Sequence, residues 1–473
     1  MRDIAPFSRI RSRRLFWVYV CLVFGSLTYL LHHQTHKSRI ELEVVVTSNI
    51  PYPEVPQEKL NSVESLFSAL ITVRDQGGHH IPALMHNLNM TRSLMRCLEA
   101  SNCEPNQLKV VILGSQYFND ELSGFNGGEH IWARSVRIAL TNLNYTSLVS
   151  MNDHGELEGS TYWMFQLVRR LVKVVIVSPE WVFSCVKVVG CIYSPTENPD
   201  GVPIWQLFSY FFWTSPNHPL GSGWTLSPEP YPLEQASYAP NYYLGYSVEP
   251  NCLNHPFVPP QERGNRMYVM GKYLEYFSGG SDSAWAVEFY NDAAEINGIS
   301  FVVGASPNPA IKVKNPGAGS VLPKSIVNYG LMPQKEFMDV LAHSRMLVGV
   351  GSPYTSPTPY DALCLGVPFL NAIKNWNRLD PWNRDYWDIQ HGLLKLLDPP
   401  YVYNVHSGDK EGFLKAIKGA MTNPLTDRYI LERMMMSSVE KRVQNLMEAD
   451  WRSKAEELMK TLNETGTGEV YKL

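Results

Sequence analysis

Short apolar runs alternate with amphipathic stretches along most of the chain, which is the pattern of a parallel α/β protein. An apolar run that stops at glycine or at a polar loop predicts a buried strand, and apolar residues three or four apart predict a helix. The first series of predicted elements comprises strands at Leu108–Leu113, Tyr145–Met151 and Lys173–Val177 and helices at 129–143 and Ser160–Leu171. The second comprises strands at Arg266–Met270, Ile299–Val303, Ile326–Tyr329, Met346–Val350 and Val367–Leu370 and helices at Ala284–Ile296, Gln334–Ala342 and Pro359–Leu365. The sequence therefore predicts two parallel sheets covered by helices.

Two such sheets facing a cleft form the GT-B architecture, in which both domains are Rossmann-like and doubly wound. A chain of 473 residues is long enough for two cores. We place the first domain at 108–260 and the second at 261–430, followed by a helical tail at 431–473 that is predicted to brace the first domain. Residues 201–260 lose the alternation and are rich in aromatic residues and proline, so we interpret them as loops and a linker.

An uncharged, mostly apolar stretch of 17 residues, Leu15–Leu31, lies near the N-terminus. It is long enough to cross a thin bilayer as a helix, which favours an early secretory or Golgi membrane. Five arginines precede it, so the positive-inside rule leaves residues 1–14 in the cytosol and the remaining chain in a lumen. We interpret the stretch as a transmembrane signal anchor followed by a stem and lead-in at 32–107, with a cleaved signal peptide as the alternative.

Charge and cysteine content narrow the class of protein further. Lysine plus arginine nearly balances aspartate plus glutamate, 41 against 45, which gives no reason to expect a nucleic-acid partner. Six of the seven cysteines follow the apolar stretch, and an oxidising lumen permits up to three disulfides among them. Cys97–Cys103 and Cys185–Cys191 are spaced for local bridges, whereas Cys364, on a buried helix face, is interpreted as a free core thiol. Glycosylation acceptor triplets begin at Asn89, Asn144 and Asn463.

The main candidate site lies within Arg345–Lys374, which reads RMLVGVGSPYTSPTPYDALCLGVPFLNAIK. Its strand stops at a loop rich in glycine and hydroxyl groups, and Thr358 followed by Pro359 gives a helix-start signal, with Thr358 as the N-cap. The loop thus delivers a helix N-terminus to the carboxyl edge of a parallel sheet. Main-chain N–H groups and the helix dipole can hold a diphosphate there without a metal. An ordinary β-loop-α unit with a capped helix is the alternative.

Several segments of the chain resemble glycosyltransferase family 18. The stronger matches are YVMGK at 268–272, YGLMP at 329–333 and VGVGSPYTSPTPYDALCLGVPFLN at 348–371. The weaker matches are GWTLSP at 223–228, YLGYSVE at 243–249, QH at 390–391 and GGE at 127–129. The resemblance, which spans 108–430, implies a type II Golgi protein with a GT-B fold and a UDP-N-acetylglucosamine donor. It also implies metal-independent, inverting transfer to the 6-hydroxyl of an α-mannose of N-glycans, which makes β-1,6 branches.

The resemblance assigns donor contacts to individual residues. The residues placed at the diphosphate are Gly351, Ser352, Tyr354, Thr355, Ser356 and Pro357. Main-chain groups of Leu331 and Met332 are placed at the uracil, and Asp361 at the ribose hydroxyls, unless Asp361 serves only the helix start. Lys272, just past a strand end, is the candidate cation for the leaving UDP, with a solvated loop lysine as the alternative. No Asp-x-Asp motif occurs, so no metal and no other cofactor is expected.

One motif differs from the family. Its animal members have Pro-Tyr-Glu-Gly-Pro where this chain has PYTSP at 353–357. A carboxylate near the donor is thereby replaced by the hydroxyl of Thr355. The sequence therefore defines the identity of the donor less well than it defines the fold.

Inversion needs one base at the acceptor hydroxyl. Glu129 follows a Gly-Gly pair at the start of a predicted helix and resembles the catalytic glutamate of the family. A glutamate is ionised at neutral pH and can accept a proton. His130, Asp120 and Glu121 are alternative bases, and a glutamate that only favours the helix dipole is the alternative without catalysis.

The sequence thus predicts a membrane-anchored, lumenal N-acetylglucosaminyltransferase that acts on N-glycoproteins. A GT-B transferase with another nucleotide sugar or acceptor is a second hypothesis. A catalytically silent glycan-binding homologue is a third, with Thr355 as the sign of lost donor affinity.

Overall fold

The computed structural model describes residues 81–150, 160–188, 190–213, 215–231, 240–277, 283–308, 322–466 and 470–473. The predicted transmembrane segment at 15–31 and the stem up to residue 80 lie outside these ranges. Among the helices within them, none combines the length and the apolar character that crossing a bilayer requires.

Within the described residues, the first sheet holds six parallel strands in the order β2-β1-β3-β4-β5-β6. They are β1 (Val110–Gly114), β2 (Thr146–Val149), β3 (Val172–Val177), β4 (Leu207–Tyr210), β5 (Thr225–Ser227) and β6 (Tyr242–Tyr243). β1 and β3 are rich in valine and isoleucine because both faces of the sheet are buried. We call this sheet and its helices the first lobe.

The helices of the first lobe include some that were not predicted. They are α1 (Ile81–Glu99), α2 (Gln116–Leu122), α3 (Gly128–Asn142), α4 (Ser160–Val168) and α5 (Pro179–Lys187). The predicted loop at 115–128 contains α2, which buries Phe118 in the core. The interpretation of 201–260 as loops and linker was wrong in part, because β4, β5 and β6 lie there. These strands read LFSY, TLS and YY, and they lack the run of aliphatic residues by which the other strands were predicted.

The second sheet, again within the described part of the chain, places parallel strands in the order β9-β8-β7-β10-β11-β13. They are β7 (Arg266–Met270), β8 (Ser300–Val303), β9 (Ile326–Asn328), β10 (Leu347–Gly349), β11 (Phe369–Asn375) and β13 (Val402–His406). The short β12 (Asp388–Ile389) pairs antiparallel with the end of β11. Counted from β7, this is the 3-2-1-4-5-6 order of dinucleotide-binding sheets, which reverses between β7 and β10. The predicted pair of parallel α/β sheets is confirmed, and we call this second one with its helices the second lobe.

The helix of the candidate site begins earlier than predicted. The described helices that follow the first sheet are α6 (Glu249–Cys252), α7 (Val287–Asn297), α8 (Gln334–Ala342), α9 (Thr358–Cys364) and α10 (Lys410–Thr422). The N-cap position of α9 is Pro357, so the cap role predicted for Thr358 is wrong. Proline has no side-chain acceptor, and the hydroxyl of Ser356 accepts the main-chain N–H of Thr358 instead, at 3.3 Å.

The C-terminal helices α11 (Met436–Glu448) and α12 (Trp451–Thr465) cross back to the first lobe, as the sequence predicts. α11 packs along α3, and the hydroxyl of Tyr145 donates to the carboxylate of Glu448 at 2.7 Å. The Trp451 ring centroid lies 4.8 Å from that of Phe208 and 5.5 Å from that of Trp224. The tail therefore closes one side of the first hydrophobic core.

Three disulfides are formed among the described residues: Cys97–Cys103, Cys185–Cys191 and Cys252–Cys364. The two local bridges were predicted, but the interpretation of Cys364 as a free thiol was wrong. Cys364 on α9 faces Cys252 at the end of α6, and their Cα atoms are 6.1 Å apart, within the range for a bridge. Because the two cysteines are 112 residues apart in the sequence, no local pattern indicated that they pair. The bridge fixes the end of the first lobe to the helix that follows the candidate loop.

Candidate active site

The loop 351–357 leaves the second sheet where the strand order reverses. Met270 and Gly349 are paired at the ends of β7 and β10, so both strands finish at one edge of the sheet. Lys272 follows β7 by two residues at that edge. Doubly wound sheets bind their ligands in the crevice outside this edge. The structure thus brings the loop predicted to hold a diphosphate and the predicted cation to the same end of two neighbouring strands.

A buried glutamine holds the shape of this loop. The side-chain oxygen of Gln390 accepts the N–H of Gly351 at 2.8 Å, and its Nε2 donates to the carbonyl of Pro353 at 3.3 Å. Its main-chain oxygen accepts the N–H of Thr355 at 3.0 Å. Thr355 has a φ of +50°, a conformation that residues other than glycine rarely adopt. The loop is therefore held in one shape by the protein itself, with Ser352 buried and Tyr354 partly exposed.

A second cation beside the loop was not predicted. The Nζ atom of Lys374, near the end of β11, lies 4.7 Å from the ring centroid of Tyr354. The Nζ atom of Lys272 lies 5.3 Å from the ring centroid of Tyr273, and the side chain of Lys272 is exposed. Both ammonium groups therefore lie at the edge where the loop projects. The position of Lys374 could have been predicted from the apolar run that precedes it. That run forms β11, and a strand that is parallel to β10 and next to it ends at the same edge of the sheet.

The segment predicted to bind uracil lies at the ends of β8 and β9. The Asn328 side chain fixes it, accepting the N–H groups of Ala305 and Gly330 at 3.0 and 2.9 Å and donating to the carbonyl of Ala305 at 3.0 Å. Leu331 is 71% exposed, and Met332 is half-buried against the core. The turn thus presents its main chain at the same edge of the sheet as the loop 351–357.

The first turn of α3 contacts the candidate loop of the second lobe. A Cβ atom added to Gly128 would lie 3.5 Å from the Cδ atom of Pro357, so the two helix starts are in contact. Glu129 is half-buried at this junction, and its main-chain carbonyl accepts the hydroxyl of Tyr210 at 3.1 Å. No hydrogen bond or ion pair engages the Glu129 carboxylate within the described ranges. The helix start that carries Glu129 thus contacts the loop of the opposite lobe.

The other acidic and basic groups near Glu129 have structural partners. His130 accepts the N–H of Gly127 on Nδ1 at 3.1 Å, and its Nε2 lies 3.6 Å from a carboxylate oxygen of Asp120. Glu121 is buried and pairs with Arg137. The geometry therefore favours Glu129 over these alternatives as a base.

The matching family model carries the description Glycosyltransferase family 18, and it covers residues 222–464, just over half of the chain. The chain belongs to glycosyltransferase family 18. The alpha-1,6-mannosylglycoprotein 6-beta-N-acetylglucosaminyltransferase B of Mus musculus is 25% identical over 218 residues, which are 44% of this chain and 26% of that protein. The corresponding enzyme A of Rattus norvegicus is 23% identical over 219 residues, 43% of this chain and 26% of that protein. The matched segment thus spans about a quarter of the length of these curated relatives.

Solved glycosyltransferase structures align with this family 18 chain at low similarity. An alpha-glucosyltransferase in complex with UDP-glucose and DNA containing an abasic site gives a TM-score of 0.40 at 10% identity, covering 74% of this chain and 99% of that one. AviGT4, a glycosyltransferase involved in avilamycin A biosynthesis, gives a TM-score of 0.35 at 14% identity, covering 75% of this chain and 98% of that one.

In this family 18 chain a buried polar cluster joins the lobes behind the loop. Glu229, after β5, is fully buried and accepts the hydroxyl of Tyr246 at 2.9 Å and that of Tyr360 on α9 at 3.3 Å. Arg433 donates to the Tyr360 hydroxyl at 2.9 Å. Burial raises the pKa of the Glu229 carboxyl to about 7, and the charge of Arg433 opposes this rise. The ring of Tyr360 also packs edge-on against His391, with centroids 4.8 Å apart. No sequence motif indicated this cluster.

Asp361 lies on the inner side of α9. It is 2% exposed, its Oδ1 atom has no hydrogen bond, and the side chain of Asn251 on α6 is beside it. Burial raises the pKa of this carboxyl from 3.8 to about 8. The structure thus places the side chain of Asp361 between α9 and α6.

Asp361→Asn should flatten the dependence of stability on pH. Because the folded-state pKa lies above the unfolded one, Asp361 contributes stability that is full below pH 3.8 and is lost as the pH rises through about 8. The asparagine variant cannot ionise, so its urea midpoint relative to the wild type should rise between pH 5 and pH 8. Asp339→Asn, at an exposed site on α8, is the matched control. An unchanged pH slope in Asp361→Asn would contradict the burial of an ionisable carboxyl here.

Proposed function

We propose that the chain is an inverting, metal-independent glycosyltransferase that moves N-acetylglucosamine from UDP-N-acetylglucosamine to the 6-hydroxyl of an α-mannose of N-glycans. Membership of family 18 and the names of the two relatives support this assignment. The observation that carries it is the junction of the lobes, where the first turn of α3, which includes Glu129, contacts the loop at Pro357. This geometry suits a reaction in which one lobe supplies a base and the other holds a nucleotide diphosphate.

In the proposed reaction the carboxylate of Glu129 accepts the proton of the acceptor hydroxyl. The oxygen of that hydroxyl attacks the anomeric carbon of the donor sugar at the same time. The bond between that carbon and the diphosphate oxygen breaks on the opposite side, which inverts the configuration. The negative charge that develops on UDP is met by the ammonium groups of Lys272 and Lys374 and by the main-chain N–H groups near the start of α9. The seven residues of α9 make only two turns, so we assign more of this stabilisation to the lysines than to the helix dipole.

For the donor we propose the contacts that the resemblance implied. The diphosphate lies along Gly351–Pro357, and the uracil lies on the main chain at Leu331 and Met332. Asp361 would need to become accessible to reach the ribose, because it is buried beside Asn251. With Thr355 in place of the family's glutamate, another nucleotide sugar remains the alternative donor.

We further propose that the protein is a single-pass type II protein of the Golgi membrane, anchored by Leu15–Leu31, with its lobes in the lumen. The disulfides fit an oxidising compartment. The acceptor is accordingly an N-glycoprotein passing through the same lumen.

The proposal predicts that the purified protein binds UDP with a dissociation constant on the order of 1 μM–1 mM, and that EDTA leaves both binding and sugar transfer unchanged. Within the described residues no group of three or more histidine, cysteine, aspartate or glutamate side chains is arranged to hold a metal ion. Calorimetry with UDP, followed by a transfer assay with UDP-N-acetylglucosamine and a mannose-terminated N-glycan, checks this. Turnover lost in EDTA would contradict the metal-free mechanism. Absence of UDP binding would favour the silent glycan-binding protein.

A further inference from the structure

The connection between β11 and β12 exposes several large apolar side chains. Residues 376–387 read WNRLDPWNRDYW, and we call them the aromatic insert. Trp382 is 66% exposed, Tyr386 is 61% exposed and Leu379 is 96% exposed. Large exposed aromatic side chains that lie together mark an interaction surface more often than a structural one.

Hydrogen bonds within the aromatic insert hold it in one conformation. The side chain of Asn377 accepts the N–H of Leu379 at 3.0 Å, and Nδ2 of Asn383 donates to the Asp380 carboxylate at 3.1 Å. The indole N–H of Trp387 donates to the carbonyl of Pro381 at 2.8 Å. A surface fixed in this way loses little conformational entropy when it binds a ligand.

The inner faces of the rings are already in contact with the protein. His406 at the end of β13 lies between Trp376 and Trp382, with ring centroids 4.3 and 4.8 Å away. The guanidinium of Arg378 lies 3.6 Å above the ring of Trp376. The rings of Trp382 and Tyr386 are each more than half exposed to solvent.

This surface borders the candidate active site. The aromatic insert begins where β11 ends, at the same edge of the sheet as the loop 351–357. It finishes in β12, where Asp388 lies 3.5 Å from the hydroxyl of Tyr354, and Gln390 follows under the loop. A ligand that extends from the active site along this edge would reach the insert.

The charge of the aromatic insert excludes a polyanion as its ligand. Two arginines are balanced by two aspartates within 376–387, and Arg384 is paired with Asp398. Flat aromatic faces flanked by Asn, Asp and Arg side chains instead suit a neutral ligand with apolar faces and many hydroxyl groups. A pyranose ring has both properties.

We propose that the outer faces of Trp382 and Tyr386 bind sugar residues of an oligosaccharide. The sugars bound here are not the ones that react. They are held beside the candidate active site while another sugar of the same oligosaccharide occupies that site. The statement that this oligosaccharide is the acceptor rests on the proposed function. The binding itself does not.

The test is calorimetric titration of the protein, without donor, with a mannose-terminated N-glycan oligosaccharide. Trp382→Ala and Tyr386→Ala should each weaken this binding by at least about fivefold, which is about 1 kcal/mol, and should leave UDP affinity unchanged. Ile296→Ala, at an exposed position near the end of α7 that is 68% exposed, is the control and should change neither. In a transfer assay the two aromatic variants should raise the KM for the oligosaccharide and not for methyl α-mannoside.

The outcomes separate this inference from the proposed function. Oligosaccharide binding that depends on Trp382, in a protein without turnover, would support the inference and overturn the function. The opposite outcome is turnover in the wild type with no effect of either aromatic variant on oligosaccharide affinity or KM. It would support the proposed function and overturn the inference. Absence of oligosaccharide binding by the wild type overturns the inference. So does binding to phosphatidylcholine vesicles that is lost in Trp382→Ala while oligosaccharide affinity is unchanged, because the surface would then be a membrane contact.

Discussion

Replacing Glu129 with glutamine should lower the rate of sugar transfer by about 10²–10⁴-fold, the range that a positioned acid–base group contributes. Glutamine keeps the shape and the hydrogen-bonding capacity of the side chain but cannot accept the proton of the acceptor hydroxyl. The carboxylate has no hydrogen bond or ion pair within the described part of the chain, so the fold should tolerate the change. Single-turnover transfer and calorimetry with UDP measure the two effects separately, and UDP affinity should stay nearly unchanged.

Glu180→Gln is the matched control for this variant. Glu180 is the acidic residue in the first turn of α5, on the same sheet, so its loss removes a similar interaction with a helix dipole. It should leave the transfer rate within about twofold of the wild type, because helix-terminus charges contribute little beyond local stability. Retained turnover in Glu129→Gln would exclude Glu129 as the base. His130 and Asp120 would then be the candidate bases.

Arg433→Met should destabilise the fold by about 3–5 kcal/mol at pH 8, as expected when one partner of a buried charge cluster is removed. Within the described residues, Glu229 would then remain fully buried with the hydroxyls of Tyr246 and Tyr360 as hydrogen-bond partners and with the charge of Arg442 nearby. The unfolding free energy from urea titration measures this loss. The second variant Arg433→Met/Glu229→Gln removes the buried charge as well, and it should recover part of the lost stability.

The effect of Arg433→Met should also depend on pH. Burial already raises the pKa of Glu229 from 4.5 to about 7 in the wild type, and without Arg433 the pKa should rise further. A raised carboxyl pKa gives stability that is full below pH 4.5 and is lost as the pH rises through the folded-state value. The difference between wild type and Arg433→Met should therefore be smaller at pH 5 than at pH 8. Equal losses at both pH values would show that packing, and not the buried charge, accounts for the effect.

The second lobe was predictable from sequence because its elements carry local signals. The bounds of β7 at Arg266–Met270 and of α8 at Gln334–Ala342 agree with the prediction to the residue. A strand buried on both faces is a continuous apolar run, and a helix that follows a proline has a marked start. The first lobe was less predictable after β3. The strands that follow β3 read LFSY, TLS and YY, so they contain no run of aliphatic residues that would predict a buried strand.

The residues of the candidate site were likewise predictable from sequence only in part. The loop 351–357 could be recognised because its glycines, hydroxyl residues and prolines are contiguous. Gln390, which holds that loop, is separated from Gly351 by 39 positions, and no local pattern connects them. Glu229 reaches the site only through tertiary packing, whereas the apolar run before Lys374 was a signal that the prediction did not use. The Cys252–Cys364 bridge was missed for the same reason, since burial of Cys364 is as consistent with a core thiol as with a partner elsewhere.

The crossing of α12 onto the first lobe has a consequence for synthesis in the cell. The strands of the first sheet leave the ribosome well before Trp451, which fills the space beside Phe208 and Trp224. Until that side chain arrives, the nascent chain carries an unfinished N-terminal half with an apolar surface that chaperones can bind. Synthesis of Trp451, and not completion of the first half of the chain, is therefore the step after which this lobe can reach its native packing.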